Sequence, residues 1–77
     1  MESKAIVNFL ITKYGWTIKH ERSTYCVLTK NEEEIDFYKD IFYLTYKDLI
    51  MKINQIEDVE KFIEKVKEKE NHEKTSR

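Results

Sequence analysis

The chain has 77 residues, with 14 basic and 15 acidic side chains and a formal net charge of −1 at pH 7. This length leaves room for one domain only, and a single cysteine, Cys26, excludes an internal disulfide. The balanced charge gives no long-range attraction for polyanions, which makes nucleic-acid binding a less favoured function. Five Tyr, four Phe and one Trp supply the large rings that so small a core requires.

Apolar residues at helical spacing predict a first helix over residues 3–14. Gly15 follows at the position where a left-handed residue would end this helix. Trp16 comes next and is placed to cover Ile11 in the closing turn. The apolar positions of the predicted helix are Ile6, Val7, Leu10, Ile11 and Tyr14.

The pattern then changes to a period of two, which predicts a pair of strands joined by a short polar turn at Arg22 and Ser23. Alternation runs from residue 16 to residue 21, and residues 25–29 are rich in side chains that favour strands. The predicted hairpin pairs Ile18 with Val27 and His20 with Tyr25.

A second polar turn, at Asn31 and Glu32, leads into a third alternating segment. The pairs expected across it are Leu28 with Ile35 and Cys26 with Phe37. A further tight turn at residues 39–40 would pair Phe37 with Phe42 and Ile35 with Leu44. The predicted core face of this meander carries Cys26, Leu28, Ile35, Phe37, Phe42 and Leu44.

The opposite face of the predicted sheet is too apolar for a surface in water. It would carry Tyr25, Val27, Tyr38, Ile41 and Tyr43. Either the first helix covers this face or a partner binds there. For a partner, we predict contacts from Tyr38, Lys39 and Tyr43, with rim contacts from the acidic loop residues Glu32, Glu33 and Glu34.

Residues 40–45 fit either a strand or a helix, and the strand is preferred. A near capping box from Thr45 to Asp48 then predicts a helix that begins just after Thr45. This helical pattern runs to residue 67 as one long helix, or as two helices broken near Asn54, where a second capping-box pattern occurs.

Four apolar residues form one stripe of the C-terminal helical pattern: Ile56, Val59, Ile63 and Val66. Packing on the chain's own sheet is the expected role of this stripe, and self-association into a homodimer is the alternative. Residues 68–77 contain no apolar side chain and are predicted to be a disordered, charged tail. The prediction is one α+β domain over residues 1–67: an N-terminal helix, a three- to four-stranded antiparallel meander, and one long or two short C-terminal helices.

No catalytic or cofactor site is expected. His20 and Cys26 are the only candidates for a nucleophilic pair, and the predicted register places them on different faces of the sheet. One cysteine and two histidines 52 positions apart do not make a zinc site, and the acidic run lacks the pattern of a calcium loop. One glycine cannot build a phosphate-binding loop.

The sequence therefore predicts a non-enzymatic protein-binding module without a cofactor or metal, most readily an inhibitor or adaptor that acts on a larger protein. Frequent Lys, Ile, Asn and Tyr indicate an AT-rich genome, which suggests a phage or mobile-element accessory protein that blocks a host or defence enzyme. No secretion signal or membrane span is visible, so we expect a cytoplasmic location.

The alternative function is a small nucleic-acid-binding or transcriptional regulatory protein. In that case the aromatic side chains of the strands would stack on bases. Lys19, Lys30 and Lys39 would then contact phosphates.

Overall fold

The computed structural model describes residues 2–75, with side chains described for residues 2–71. The strands form one antiparallel sheet in chain order, so the fold is α+β as predicted, with five strands rather than three to four. In chain order the elements are α1 (Ser3–Tyr14), β1 (Thr17–Glu21), β2 (Tyr25–Lys30), β3 (Glu33–Tyr38), β4 (Tyr43–Tyr46), β5 (Leu49–Lys52) and α2 (Ile56–Thr75).

The first helix has the predicted bounds, and Gly15 ends it in the left-handed conformation, with φ of 79°. The Gly15 N–H donates to the Ile11 carbonyl at 3.1 Å, and the Trp16 N–H donates to the Leu10 carbonyl at 3.2 Å. These bonds satisfy carbonyls that the helix end would otherwise leave without donors. The turn carries Trp16 into the core, where it is buried.

The predicted register of the first hairpin is wrong. Ile18 lies opposite Leu28, and His20 lies opposite Val27, with a bulge at Lys19 between these pairs. The turn comprises three residues, 22–24, rather than two. Because a bulge adds one residue to one strand, it changes the pairing of the residues beyond it.

The second hairpin pairs as predicted, with Leu28 opposite Ile35 and Cys26 opposite Phe37. The third does not, since Phe37 lies opposite Leu44 instead of Phe42. Residues 39–42 all belong to this turn, and Phe42 has a positive φ of 57°. Phe42 is half-buried, and its ring meets the Phe37 ring edge-on at 6.1 Å.

The helix predicted to begin after Thr45 is also wrong, because this segment forms the hairpin of β4 and β5. Lys47 has a φ of 54° in a two-residue turn, and Leu44 lies opposite Met51. A single helix, α2, begins at Ile56, close to the second capping-box pattern.

The end of α2 differs from the predicted C-terminal tail. The helix continues to Thr75, so residues 68–75 are helical. Residues 1, 76 and 77 lie outside the described part of the chain.

Both helices pack on the same face of the sheet. Ile6 and Leu10 of α1 and Val59 of α2 belong to one buried cluster with the strand residues Leu28 and Phe37. The α2 stripe considered for self-association contributes to this core: Val59, Ile63 and Val66 are buried and Ile56 is half-buried. The other face of the sheet carries neither helix.

Candidate protein-binding face

The uncovered side of the sheet is built by every second residue of the five strands, and we call it the tyrosine face. Pairing between neighbouring strands arranges it in three rows that cross the sheet, the shortest of which comprises Thr17, Thr29 and Glu34. The first row consists of Tyr25, Tyr38, Tyr43 and Lys52, and the second of His20, Val27, Asp36, Thr45 and Ile50. The face therefore places three tyrosines side by side.

The first row, which we call the tyrosine row, is partly open to solvent. Tyr38 is 39% exposed, and its ring centroid lies 6.4 Å from that of Tyr25. The Lys52 ammonium lies 5.4 Å from the centre of the Tyr43 ring and donates a 3.0 Å hydrogen bond to the Ile41 carbonyl. Rings held by their neighbours lose little side-chain entropy on binding, which suits them to contact a partner.

The second row combines apolar side chains with one carboxylate. Ile50 is 63% exposed, although its neighbours in β5 turn towards the core. Asp36 lies between Val27 and Thr45, and its carboxylate forms no hydrogen bond or ion pair within the described residues. Burial, followed by the nearby Glu34 carboxylate, raises the pKa of Asp36 above its ordinary value.

Among the predicted contact residues, Tyr38 and Tyr43 are directly paired on the tyrosine face. Lys39 is not beside them. Its ammonium lies 2.9 Å from a Glu21 carboxylate oxygen and 2.8 Å from the Arg22 carbonyl, and its side chain is only 17% exposed. Lys39 thus ties the third turn to the end of β1.

The three predicted glutamates lie apart from one another. Glu34 is on the tyrosine face and forms an ion pair with Lys19. Glu33 points to the other side, where it accepts a 2.9 Å hydrogen bond from the Tyr46 hydroxyl. Glu32 is exposed in the turn between β2 and β3.

Most residues of the tyrosine face are absent from the predicted contacts, among them Asp36, Ile50 and Lys52. The last two were missed because their segment was assigned to a helix. The alternation of Leu49, Ile50 and Met51 after a polar turn was the available signal for a strand. Nothing in the sequence distinguished Asp36 from the other acidic residues around it.

The candidate nucleophilic pair is not assembled. Cys26 is fully buried on the helix side of the sheet, and burial, followed by the Glu21 charge, raises the pKa of its thiol. His20 is exposed and lies opposite Val27 on the tyrosine face. Within the described residues, no group of three or more His, Cys, Asp and Glu side chains is arranged to hold a metal ion.

The lysines considered for phosphate contacts all interact within the chain. Lys19 pairs with Glu34 and Lys39 with Glu21, and the Lys30 ammonium donates to the Tyr14 carbonyl at 2.5 Å. Phosphate binding would have to replace these bonds.

No helix in the described part of the chain is long and apolar enough to cross a membrane. Comparison with known proteins finds no matching family model, curated protein or solved structure.

Proposed function

We propose that this chain is a small, non-enzymatic protein-binding module that acts in the cytoplasm as an inhibitor or adaptor of a larger protein. The observation that carries the proposal is the tyrosine face, a sheet surface with three adjacent tyrosines and an exposed Ile50 that neither helix covers. Aromatic side chains at the centre of a surface are the usual anchors of protein interfaces.

The charges near this face support a protein partner over a nucleic acid. Asp36 lies at its centre, where no described residue pairs a cation with its carboxylate, and Glu34 lies on the same face two residues earlier in β3. Both carboxylates would repel a phosphate backbone. The Lys19 ammonium is already paired with Glu34.

The test is capture of the tagged protein's partner from a lysate of the organism that encodes the chain. We expect Tyr38→Ala to abolish capture, because it removes the most exposed ring of the tyrosine row. Unfolding in urea should change little, since Tyr38 lies outside the buried core.

Ile18→Ala is the matched control. Ile18 is a similarly exposed apolar side chain, at 43%, but it lies on the helix side of the sheet, opposite Leu28. Capture should survive this substitution. Equal loss of capture in both variants, or none in either, would refute binding through the tyrosine face.

Nuclease treatment of the lysate distinguishes the alternative function. The alternative, a small nucleic-acid-binding or regulatory protein, has the stacking surface of the three tyrosines in its favour. A stoichiometric protein that stays bound after nuclease supports the protein-binding module. Material that is lost on nuclease treatment, with an affinity that falls steeply with salt, supports the alternative.

An inhibitor and an adaptor differ in what happens to the captured protein. As an inhibitor encoded by a phage or mobile element, the chain would lower the activity of a host or defence enzyme at stoichiometric ratio. As an adaptor it would leave that activity intact while joining the enzyme to a further protein. An activity assay of the captured protein, with and without added chain, separates the two.

A further inference from the structure

Asp36 holds a central position on the tyrosine face. It occupies the middle strand, β3, of the five-stranded sheet, with Val27 on one side and Thr45 on the other. Along β3 its neighbours on the same face are Glu34 and Tyr38, each two residues away. A partner that covers the three tyrosines would therefore cover Asp36 as well.

The other charged groups of β3 and β5 on this face have interaction partners within the chain. Glu34 has the Lys19 ammonium, while the Lys52 ammonium has the Tyr43 ring and the Ile41 carbonyl. Among the described residues none pairs with the Asp36 carboxylate, and its neighbour Glu34 adds a like charge. Covering an unpaired carboxylate with an apolar surface is costly, because its water is lost without replacement.

We propose that the partner presents an arginine to the tyrosine face, with its guanidinium paired to the Asp36 carboxylate and lying against the Tyr38 ring. This inference rests on the proposed function and names the chemistry of the partner surface. Arginine fits better than lysine because its flat guanidinium can bind a carboxylate through two hydrogen bonds and also stack on an aromatic ring. The Asp36 carboxylate and the Tyr38 ring are two residues apart on the same face of β3.

The experiment is an NMR titration of the full chain with N-acetyl-arginine amide. N-acetyl-citrulline amide, which has nearly the same shape without the charge, is the reference compound. We expect saturable shifts at Asp36, Tyr38 and Val27 with the arginine compound only. Equal shifts with the citrulline compound, or equally tight binding of N-acetyl-lysine amide, would overturn the arginine assignment.

Substitution provides the second arm. Asp36→Asn keeps the size of the side chain and should weaken binding of the arginine compound by roughly tenfold or more. Glu68→Gln removes a carboxylate from the exposed surface of α2 and should not change binding. Unchanged binding in Asp36→Asn would refute the pairing.

Capture of the native partner by the two variants tests this inference independently of the proposed function. If Tyr38→Ala abolishes capture and Asp36→Asn does not, the protein-binding function stands and the arginine pairing fails. If the arginine compound binds at Asp36 but no protein is captured, Asp36 is a guanidinium site and the proposed protein-binding function fails.

Discussion

Residues 31 and 32 form the turn between β2 and β3 without a glycine. Asn31 has a φ of 51° and Glu32 a φ of 70°, the signs that a type I′ turn requires at its two central positions. Asn tolerates this conformation, whereas for Glu the left-handed region costs about 1–2 kcal/mol. The second hairpin therefore forms in spite of a strained residue in its turn.

We expect Glu32→Gly to increase the free energy of unfolding by about 1 kcal/mol, because glycine adopts a positive φ without a steric penalty. Urea unfolding measures the change. Glu32→Ala removes the same charge and retains the strain, so it should give little or no gain. If the alanine variant gained as much as the glycine variant, the gain would come from the charge.

Tyr46 is almost fully buried and donates its hydroxyl to the Glu33 carboxylate at 2.9 Å. Burial and this hydrogen bond raise the pKa of Tyr46 to about 12, from an ordinary value of 10.0. The folded state disfavours the ionised phenol. The contribution of the neutral Tyr46 hydroxyl to stability is therefore complete below pH 10 and is lost as the pH rises towards 12.

Tyr46→Phe should therefore lower the free energy of unfolding by about 1 kcal/mol near neutral pH. The difference from the original chain should shrink between pH 10 and pH 12, where the original chain loses this contribution. Urea unfolding of both proteins at several pH values measures it. Tyr38→Phe, on the exposed side of the sheet, is the control and should change stability little. A difference that stayed constant with pH would contradict the assignment.

The start of α2 is fixed by one carboxylate. The Asp58 side chain accepts hydrogen bonds from the backbone N–H groups of Asn54 at 2.8 Å and Gln55 at 3.2 Å. A capping box that begins at Asn54 would use Glu57 for this role, one residue earlier. Both acidic residues lie in the first turn of the helix, so both also interact favourably with its dipole.

Asp58→Ala should destabilise the fold by about 1 kcal/mol, because two N–H groups lose their acceptor. Glu57→Ala is the matched control, since it removes a charge from the same turn without removing a cap, and its cost should be only a few tenths of a kcal/mol. Chemical denaturation compares the two variants. A larger loss in Glu57→Ala would show that the dipole, rather than the cap, stabilises the helix start.

The elements that could be predicted from the sequence are those whose ends have a local signal. Gly15 marks the end of α1, and the even alternation on both sides of Asn31 fixes the second hairpin. The errors arose where the backbone conformation has no such signal. Phe42 ends the turn between β3 and β4, and Lys47 lies in the turn between β4 and β5. Both residues have a positive φ, and neither residue type favours that conformation.

The candidate site, like the fold, was predictable only where strand alternation determines which face a residue occupies. Tyr38 and Tyr43 lie on the face expected for them, because strand alternation alone separates them from the core. Lys39 lies apart from them because it belongs to the turn, where alternation no longer determines direction. Ile50 and Lys52 could be located only once β5 was known to be a strand.

On the scale of the whole molecule, the sheet is covered on one side by helices from the two ends of the chain. The Lys13 ammonium of α1 and the Glu60 carboxylate of α2 form an ion pair at 2.5 Å. The last buried residue in the described part of α2 is Val66. Beyond it, an exposed ion pair joins Lys69 to Asp48 at 2.7 Å.

A chain truncated after residue 67 should therefore unfold at nearly the same urea concentration as the full chain, since it keeps every buried residue of the core. A chain truncated after residue 54 should not fold, because it loses Val59, Phe62, Ile63 and Val66 together. Circular dichroism and urea unfolding check both. A large loss of stability in the chain truncated after residue 67 would mean that residues 68–77 belong to the domain.

The order of elements along the chain also affects how the protein is made. All five strands precede α2, so during synthesis the sheet can pair its neighbouring strands before half of its apolar cover exists. An incomplete chain on the ribosome would expose apolar surface on both sides of the sheet, the kind of surface that chaperones bind. Stable folding of this domain therefore follows the synthesis of its last helix.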